Sequence, residues 1–477
     1  ALPISSRLLP LAALAFAGCA PLPSDLPPRP SLAAPQADKT VATLAAEGAL
    51  ASAEAPSPRW WEGFADAGLD RLVETALRDN PSLATAEARL RAAGQMQRLA
   101  ELDASVNFDA NATVVRERYS ENGIFPPPIG GSLYNQGDIT LGAAYTLDWW
   151  GRNRALIQAA TGEAEAARAE EAAARLNVAA LVADAWFAWG DVEERLAVAH
   201  ELVKDRAEAL AFAKMRFERG LDSATPLHLA EQAHAREQDN LKTLEYQSRA
   251  WRYRLAALLG KSPDEAASLP TPGMRAKAPA LPARLPLDWL AHRPDVAAQR
   301  ARVEAAAARS DATRADFYPN LDLRLLIGLQ SIEASRWLTH GSLDGSVGPA
   351  LHIPLFNVRT LQARLREKEA EYAAAVGDYN QTVLDSARQV ADGYAQYASL
   401  VQRAALQRRA LDEAESARAL AKSRHGNGLA SRLDALDAEI AALAQHQEEA
   451  QTRAARLRAA VALEYALGGI DAQNGPR

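Results

Sequence analysis

Between Asn153 and Arg219 the chain contains no proline, and only Gly162 and Gly190 interrupt the run. Within it small residues fall in pairs, Ala159–Ala160, Ala166–Ala167, Ala173–Ala174 and Ala180–Leu181, each pair seven residues after the last. A strict seven-residue repeat is a coiled-coil seam and imposes a left-handed supercoil. Alanine at the seam lets neighbouring backbones approach closely. At about 1.5 Å of rise per residue the helix would reach roughly 100 Å, longer than a compact domain can enclose. Such a chain is built on a rod.

What flanks the rod occurs twice. Ser105 to Arg116 alternates Val106, Phe108, Ala110, Ala112 and Val114 with Asn107, Asp109, Asn111 and Thr113, a strand with one apolar and one polar face. Glu117 to Gly137, with Pro126-Pro127-Pro128 and Gly130-Gly131, is a polar, turn-rich loop. A second alternating run (Ile139, Leu141, Ala143, Tyr145, Leu147) leads through Asp148-Trp149-Trp150-Gly151-Arg152 into the long helix. In the other half, Leu321 to Leu329 and Val347 to Ile353 alternate in the same way, and a second long helix follows from Val358. Anchor pairs repeat at similar offsets: Gly220 and Gly428, like Leu259 and Leu467, lie 208 residues apart, Asp148 and Pro354 206, and Pro81 and Pro294 213. This is an internal duplication.

A net charge of −7 leaves no basic surplus to neutralise phosphates, so nucleic acid is not an expected partner. No catalytic pattern emerges. His228 and His234 are six residues apart and off a common helical face, no glycine cluster resembles a P-loop, and Glu163, Glu165, Glu170 and Glu171 fit a solvated helix face. No enzyme, metal site or cofactor is expected.

Cys19 is the only cysteine. It follows Arg7, an apolar run from Leu8 to Phe16, and Ala17-Gly18, the layout of a secretory signal with small residues at its cleavage point. Two readings stand: a lipoprotein whose mature first residue is an acylated Cys19, or an ordinary secretory signal with an incidental cysteine. Residues 21 to 58, rich in proline, alanine and serine, read as an extended tether.

Four strands of about ten residues suit a membrane barrel, but four cannot close one, and open edges are forbidden in lipid. Either they form a soluble sheet, or several chains share one barrel. Trp149, Trp150, Phe317, Tyr318 and Phe356 gather where strands meet helices. They read as an interfacial aromatic belt, or as a hydrophobic layer in a soluble α+β domain.

Trp60-Trp61-x-x-Phe64, the twice-used helix–strand–loop–strand–long-helix plan, the Asp148 to Arg152 junction and the ending Leu463-Glu464-Tyr465-Ala466-Leu467-Gly468-Gly469 together resemble TolC-like outer-membrane factors. The likeness is greatest to the lipoprotein branch serving RND drug-efflux pumps, often called NodT-type. Phe16-Ala17-Gly18-Cys19 resembles a bacterial lipobox, with Phe16 in place of the usual leucine. Ala20, rather than aspartate, after Cys19 implies outer-membrane sorting.

The resemblance implies a mainly α fold with membrane β. A homotrimer would form a 12-stranded β-barrel continuous with a periplasmic α-helical coiled-coil barrel. It implies an outer-membrane channel passing small molecules out of the periplasm, docked to a periplasmic adaptor and an inner-membrane RND transporter. A protein-secretion conduit or a periplasmic coiled-coil adaptor lipoprotein are the alternatives. Outer-membrane lipid is the surrounding medium, and a covalent lipid on Cys19 the only added group.

The expected division is 1–18 signal peptide, 19–58 lipid-anchored tether, 59–262 first repeat, 263–286 crossover, 287–469 second repeat and 470–477 tail. Strands are expected near 105–116, 138–148, 320–329 and 343–354, and long helices near 153–219 and 358–425. The resemblance also places a periplasmic gate at the second helical turn, on Gly428-Leu429-x-x-x-x-Asp434-x-x-Asp437. Arg432 is expected to pair with either aspartate there. Asp434 and Asp437 are three apart and so share a helical face. As acidic groups near a helix start they equally suit dipole complementation.

Overall fold

The computed structural model describes residues 20–33, 43, 59–274, 276–279 and 290–468. The signal segment, Cys19, most of the tether, residues 280–289 of the crossover region and the 470–477 tail lie outside the described residues. The main elements run α1 (Ala67–Asp79), α2 (Pro81–Asp103), β1 (Asn107–Arg118), β2 (Leu133–Leu147), α3 (Arg152–Glu218) and α4 (Ala224–Leu258). They continue as α5 (Pro294–Ala315), β3 (Asn320–Ser331), β4 (Leu343–His352), α6 (Val358–Gly426) and α7 (Arg432–Ala466). The chain divides into two compact units, and α3 and α6 each contribute to both.

The first unit takes residues 20–32, Arg89–Arg168 and Ala298–Tyr379. Its four strands form one antiparallel sheet in the order β1-β2-β3-β4, so the hairpins of the two halves lie side by side. β2 starts at Leu133 rather than near 138, because the β1–β2 ladder extends to the pair Arg118 and Leu133. The predicted loop shrinks accordingly. From the second hairpin loop, Trp337 donates its Nε1 hydrogen to the carbonyl of Asn135 at 3.2 Å. Below the sheet α3 and α5 approach closely: a Cβ on Gly162 would meet the Ala301 carbonyl and the Ala305 methyl, each at 3.0 Å. Ala159 and Ala166, seven residues apart on the same seam, are buried.

Residues 20–32, which fall within the expected extended tether, lie against α5 and α6. Ala20 is buried with Phe317, Leu361 and Leu365, and its amide donates to the Phe317 carbonyl at 3.1 Å. Extended backbone without an internal ladder still has donors to satisfy. Here helix side chains reach out to it, Gln362 Nε2 donating to the Pro21 carbonyl and Arg366 to Asp25.

The second unit holds the hydrophobic core. Trp60, Trp61 and Phe64 pack with Trp186, Phe187 and Trp189 of α3, Tyr394 and Tyr397 of α6, and Leu457, Val461 and Leu463 of α7. Asp66 caps α1 by accepting from the amides of Gly68 and Leu69, and its other oxygen accepts from Trp186 Nε1 at 3.0 Å. One carboxylate thus starts a helix and fixes a core indole. α7 is tied to α3 by charge: Arg458 grips Asp184 through two hydrogen bonds of 2.7 and 3.1 Å, and Arg453 pairs with Glu194. At the α1–α2 break, Asn80 donates to the carbonyl of Leu258, the last residue of α4.

Candidate functional site

The expected functional residues that the structure describes fall in two regions, the sheet and its junctions with the helices in the first unit and the helical turns of the second. In the sheet the register sorts side chains by parity, since residues alternate between faces. Phe108, Ala143, Leu325 and Val347 form one cross-strand row, and Ala110, Leu141, Ile327 and Gly345 another on the same side. Phe108 and Val347 are 81% and 82% exposed, and Leu141, Leu325 and Ile327 are exposed with them. The opposite side carries the row Asn111, Thr140, Gly328 and Asp344, and the contact of Thr146 with Asp322 at 2.8 Å. One face is dressed for hydrocarbon and the other for water. Among the described residues β1 and β4 each have one unpaired edge.

The expected aromatic belt is split by the structure. Trp149 and Phe356 are exposed at 64% and 96%, as side chains for an interface would be. Trp150 and Tyr318 stack on each other, centroids 4.4 Å apart and planes at 17°, and Trp150 Nε1 donates to the Pro319 carbonyl at 2.8 Å. Phe317 corrects the expectation: it is fully buried in the cluster with Ala20, Leu361 and Leu365 and faces no interface. Tyr318 beside it is half-buried, packing against the same cluster while its ring stacks on Trp150.

The two helical turns are close copies. Gly220 and Gly428 both adopt φ +70°, a left-handed conformation that glycine enters without a Cβ penalty. The next amide closes each turn, Leu221 donating to the Arg216 carbonyl at 2.9 Å and Leu429 to that of Arg424 at 2.8 Å. This is the Schellman arrangement of a helix end. Leu221 and Leu429 stand exposed at the tips.

α7 begins with Ser431 as its cap. Asp434 accepts from the Ser431 hydroxyl and amide at 2.8 and 2.9 Å, while the Ser431 hydroxyl accepts from the Asp434 amide at 3.1 Å. This reciprocal capping box holds the Asp434 carboxyl below the usual range. Asp437, one turn on, is exposed beside it. Arg432 corrects the expected pairing, because its fork takes Glu208 of α3 in two bonds of 2.7 and 2.9 Å rather than either aspartate. Asp434 is already engaged by the cap, which leaves the long arginine free to cross to α3. Glu208 had no signal in the sequence: it is one of many glutamates on α3, 224 positions from its partner. Cys19 lies outside the described residues.

The family model for outer membrane efflux proteins matches residues 72–261 and 285–469. The chain is 28% identical over 466 residues to the multidrug resistance outer membrane protein MdtP of Escherichia coli K12, covering 95% of this chain and 94% of that protein. It is 30% identical over 371 residues to the fusaric acid resistance protein FusA of Burkholderia cepacia, covering 76% and 69%. Its fold superposes on the crystal structure of the outer membrane protein VceC of Vibrio cholerae with a TM-score of 0.77 at 32% identity, covering 87% of this chain and 99% of that one. A sheet with one apolar and one polar face, leading into long helices, belongs with these proteins: the chain is a member of the outer membrane efflux protein family, whose members are conduits and not enzymes, and is an outer-membrane channel of an efflux pump.

Proposed function

We propose that the chain is the exit duct of a tripartite pump, working as a homotrimer with a periplasmic adaptor and an inner-membrane RND transporter. The observation that carries this reading is the sheet with one apolar face and, among the described residues, an unpaired edge on β1 and another on β4. An open edge in hydrocarbon leaves backbone groups unsatisfied, so the strands must be completed by other copies. Three copies of four strands give the 12-stranded barrel, β4 of each meeting β1 of the next. The polar face then lines a water-filled passage through which cargo diffuses outward.

Names of the relatives point to small toxic compounds as cargo, multidrug resistance for MdtP and fusaric acid resistance for FusA. Cys19 carries a covalent lipid in this reading, an anchor additional to the barrel. The gate lies at the second turn. Arg432 holds the start of α7 to α3 through Glu208, and threefold symmetry would repeat the exposed Asp434 and Asp437 around one axis. A ring of carboxylates there attracts cations and disfavours anions.

Deleting the gene and measuring growth against a panel of toxic compounds, fusaric acid among them, tests the function. Sensitisation rescued by the intact chain is the expected result. An unchanged panel together with failure to export a secreted protein would reassign the duct to protein secretion. Native mass spectrometry in detergent tests the trimer, and any other copy number overturns the 12-stranded barrel.

A further inference from the structure

Arg29 sits at the centre of a polar cluster that none of the channel chemistry uses. Its Nε and Nη2 donate to the two carboxylate oxygens of Glu369 on α6 at 3.3 and 3.1 Å. Nη2 also reaches Ser310 Oγ and Asp311 Oδ1 of α5, each at 3.3 Å. The guanidinium carbon lies 4.9 Å from the ring centroid of Tyr372. A single side chain from the extended N-terminal segment therefore touches both helices beneath the sheet.

Glu369 shows what this contact is for. It is 5% exposed, and it also accepts from Ser310 Oγ and Arg314 Nη2, each at 2.6 Å. Burial alone would push its carboxyl up. The hydrogen bonds from Arg29 and Ser310 and the charges of Arg29 and Arg314 outweigh that and hold it below the usual glutamate value. A buried carboxylate stripped of one of two cations is costly, more so than an exposed pair lost. The segment before Arg29 is held by weaker contacts: Asp25 with the half-exposed Arg366 at 2.8 Å, and the Pro21 carbonyl with Gln362 at 3.1 Å. These follow α6 in order, positions 21, 25 and 29 meeting 362, 366 and 369, and the run ends with Ala20 bonded to Phe317, three residues before β3.

We propose that residues 20–32 are a seated clasp across α5 and α6, locked by Arg29, which fixes position 20 at the foot of β3. Arg29 is a positioning residue: it acts through Glu369 to hold the segment. The clasp sets the point where the upstream chain emerges, beside the start of a lipid-facing strand. Where position 19 carries a lipid, a reading on which only this last consequence rests, its acyl chains enter the membrane against the barrel wall and not at the end of a free tether.

Hydrogen exchange on the detergent-solubilised full-length protein tests the clasp. In the wild type, the amides of Ala20, which donates to the Phe317 carbonyl, and Ala33, which donates to Asn380 Oδ1, should exchange at least tenfold more slowly than an unstructured chain. Arg29→Gln should return them to the unstructured rate while peptides from the buried Leu365 and Val376 region of α6 stay protected. Arg29→Lys keeps the charge but not the fork, and should fall between. Cys19→Ser should leave the protection intact, since Ala20, Pro21, Asp25 and Arg29 make the contacts of the clasp with α5, α6 and the turn after α5. Unstructured exchange in the wild type, or unchanged protection in Arg29→Gln, overturns the proposal. Mass spectrometry of the mature N-terminus separates the two readings: an unmodified chain with a protected clasp removes only the lipid, and an acylated chain with an unprotected segment removes only the clasp.

Discussion

Arg293 donates from Nη1 to the carbonyl of Ala466 at 2.5 Å, closing α7 from a position just before the helix-start proline of α5. In the first half Asn80, also just before a helix-start proline, does the same to Leu258 at 2.7 Å. The two acceptors are the last residues of α4 and α7, each followed at the second position by a glycine with positive φ, Gly260 and Gly468. Duplication has preserved the job and changed the residue. The arginine is 3% exposed and also grips Asp295 in two bonds and Gln389 in one, so it does more than its asparagine counterpart.

Arg293→Ala is therefore expected to destabilise the second unit by about 3 kcal/mol, from an unmet carbonyl and the lost bonds to Gln389 and the half-exposed Asp295, and Asn80→Ala by about 2 kcal/mol. Thermal melts followed by circular dichroism measure the difference. Equal losses in the two variants would mean that the contacts of Arg293 to Asp295 and Gln389 contribute nothing.

Glu464 gives the second unit a pH dependence. It is buried in α7 with Oε2 unpartnered, close to the buried Tyr394, and burial pushes its carboxyl from 4.5 up to about 7. Between those values the folded state holds a proton that the unfolded chain has released. Stability consequently falls as pH rises from about 4.5 to about 7, by roughly 3 kcal/mol, and is flat above. Denaturant titrations across this window should show the slope in the wild type and its loss in Glu464→Gln.

The tie between Arg432 and Glu208 is about one third exposed, which limits its worth to about 1 kcal/mol. Glu208→Gln or Arg432→Ala should shift a closed tip towards open by about fivefold, read as a rise in the open-channel fraction in planar bilayers. Asp434→Ala with Asp437→Ala should weaken block by multivalent cations. Unchanged block in an assembled channel would leave Asp434 with its capping role alone.

The two faces of the sheet predict opposite tolerance at neighbouring positions. Leu141→Arg puts a charge on the lipid side at a cost of about 2–4 kcal/mol, whereas Thr140→Arg faces water. The yield of assembled protein in outer-membrane fractions should drop for the first and hold for the second. Equal yields would deny that the apolar face meets lipid.

Local periodicity made the rods and strands legible. The seven-residue alanine pairs and the alternation of Phe108 with Asp109 depend only on neighbours in sequence. What sequence could not show depends on partners far along the chain. Arg29 lies 340 residues from Glu369 and Arg432 224 from Glu208, so neighbouring letters alone give no sign that the proline-rich stretch is seated on α6 or that Arg432 crosses to α3. Phe317 and Tyr318 were indistinguishable as letters, and only the turn into β3 buries one of them.

The free edges of β1 and β4 turn copy number into a structural variable. If three copies close one barrel, as proposed above, residence in the bilayer is a property of the assembly and not of its parts. Dosage follows from this. A partner with a damaged edge strand would be built into mixed assemblies and spoil sound copies beside it, making such alleles dominant when co-expressed, while a chain that never folds would merely be absent.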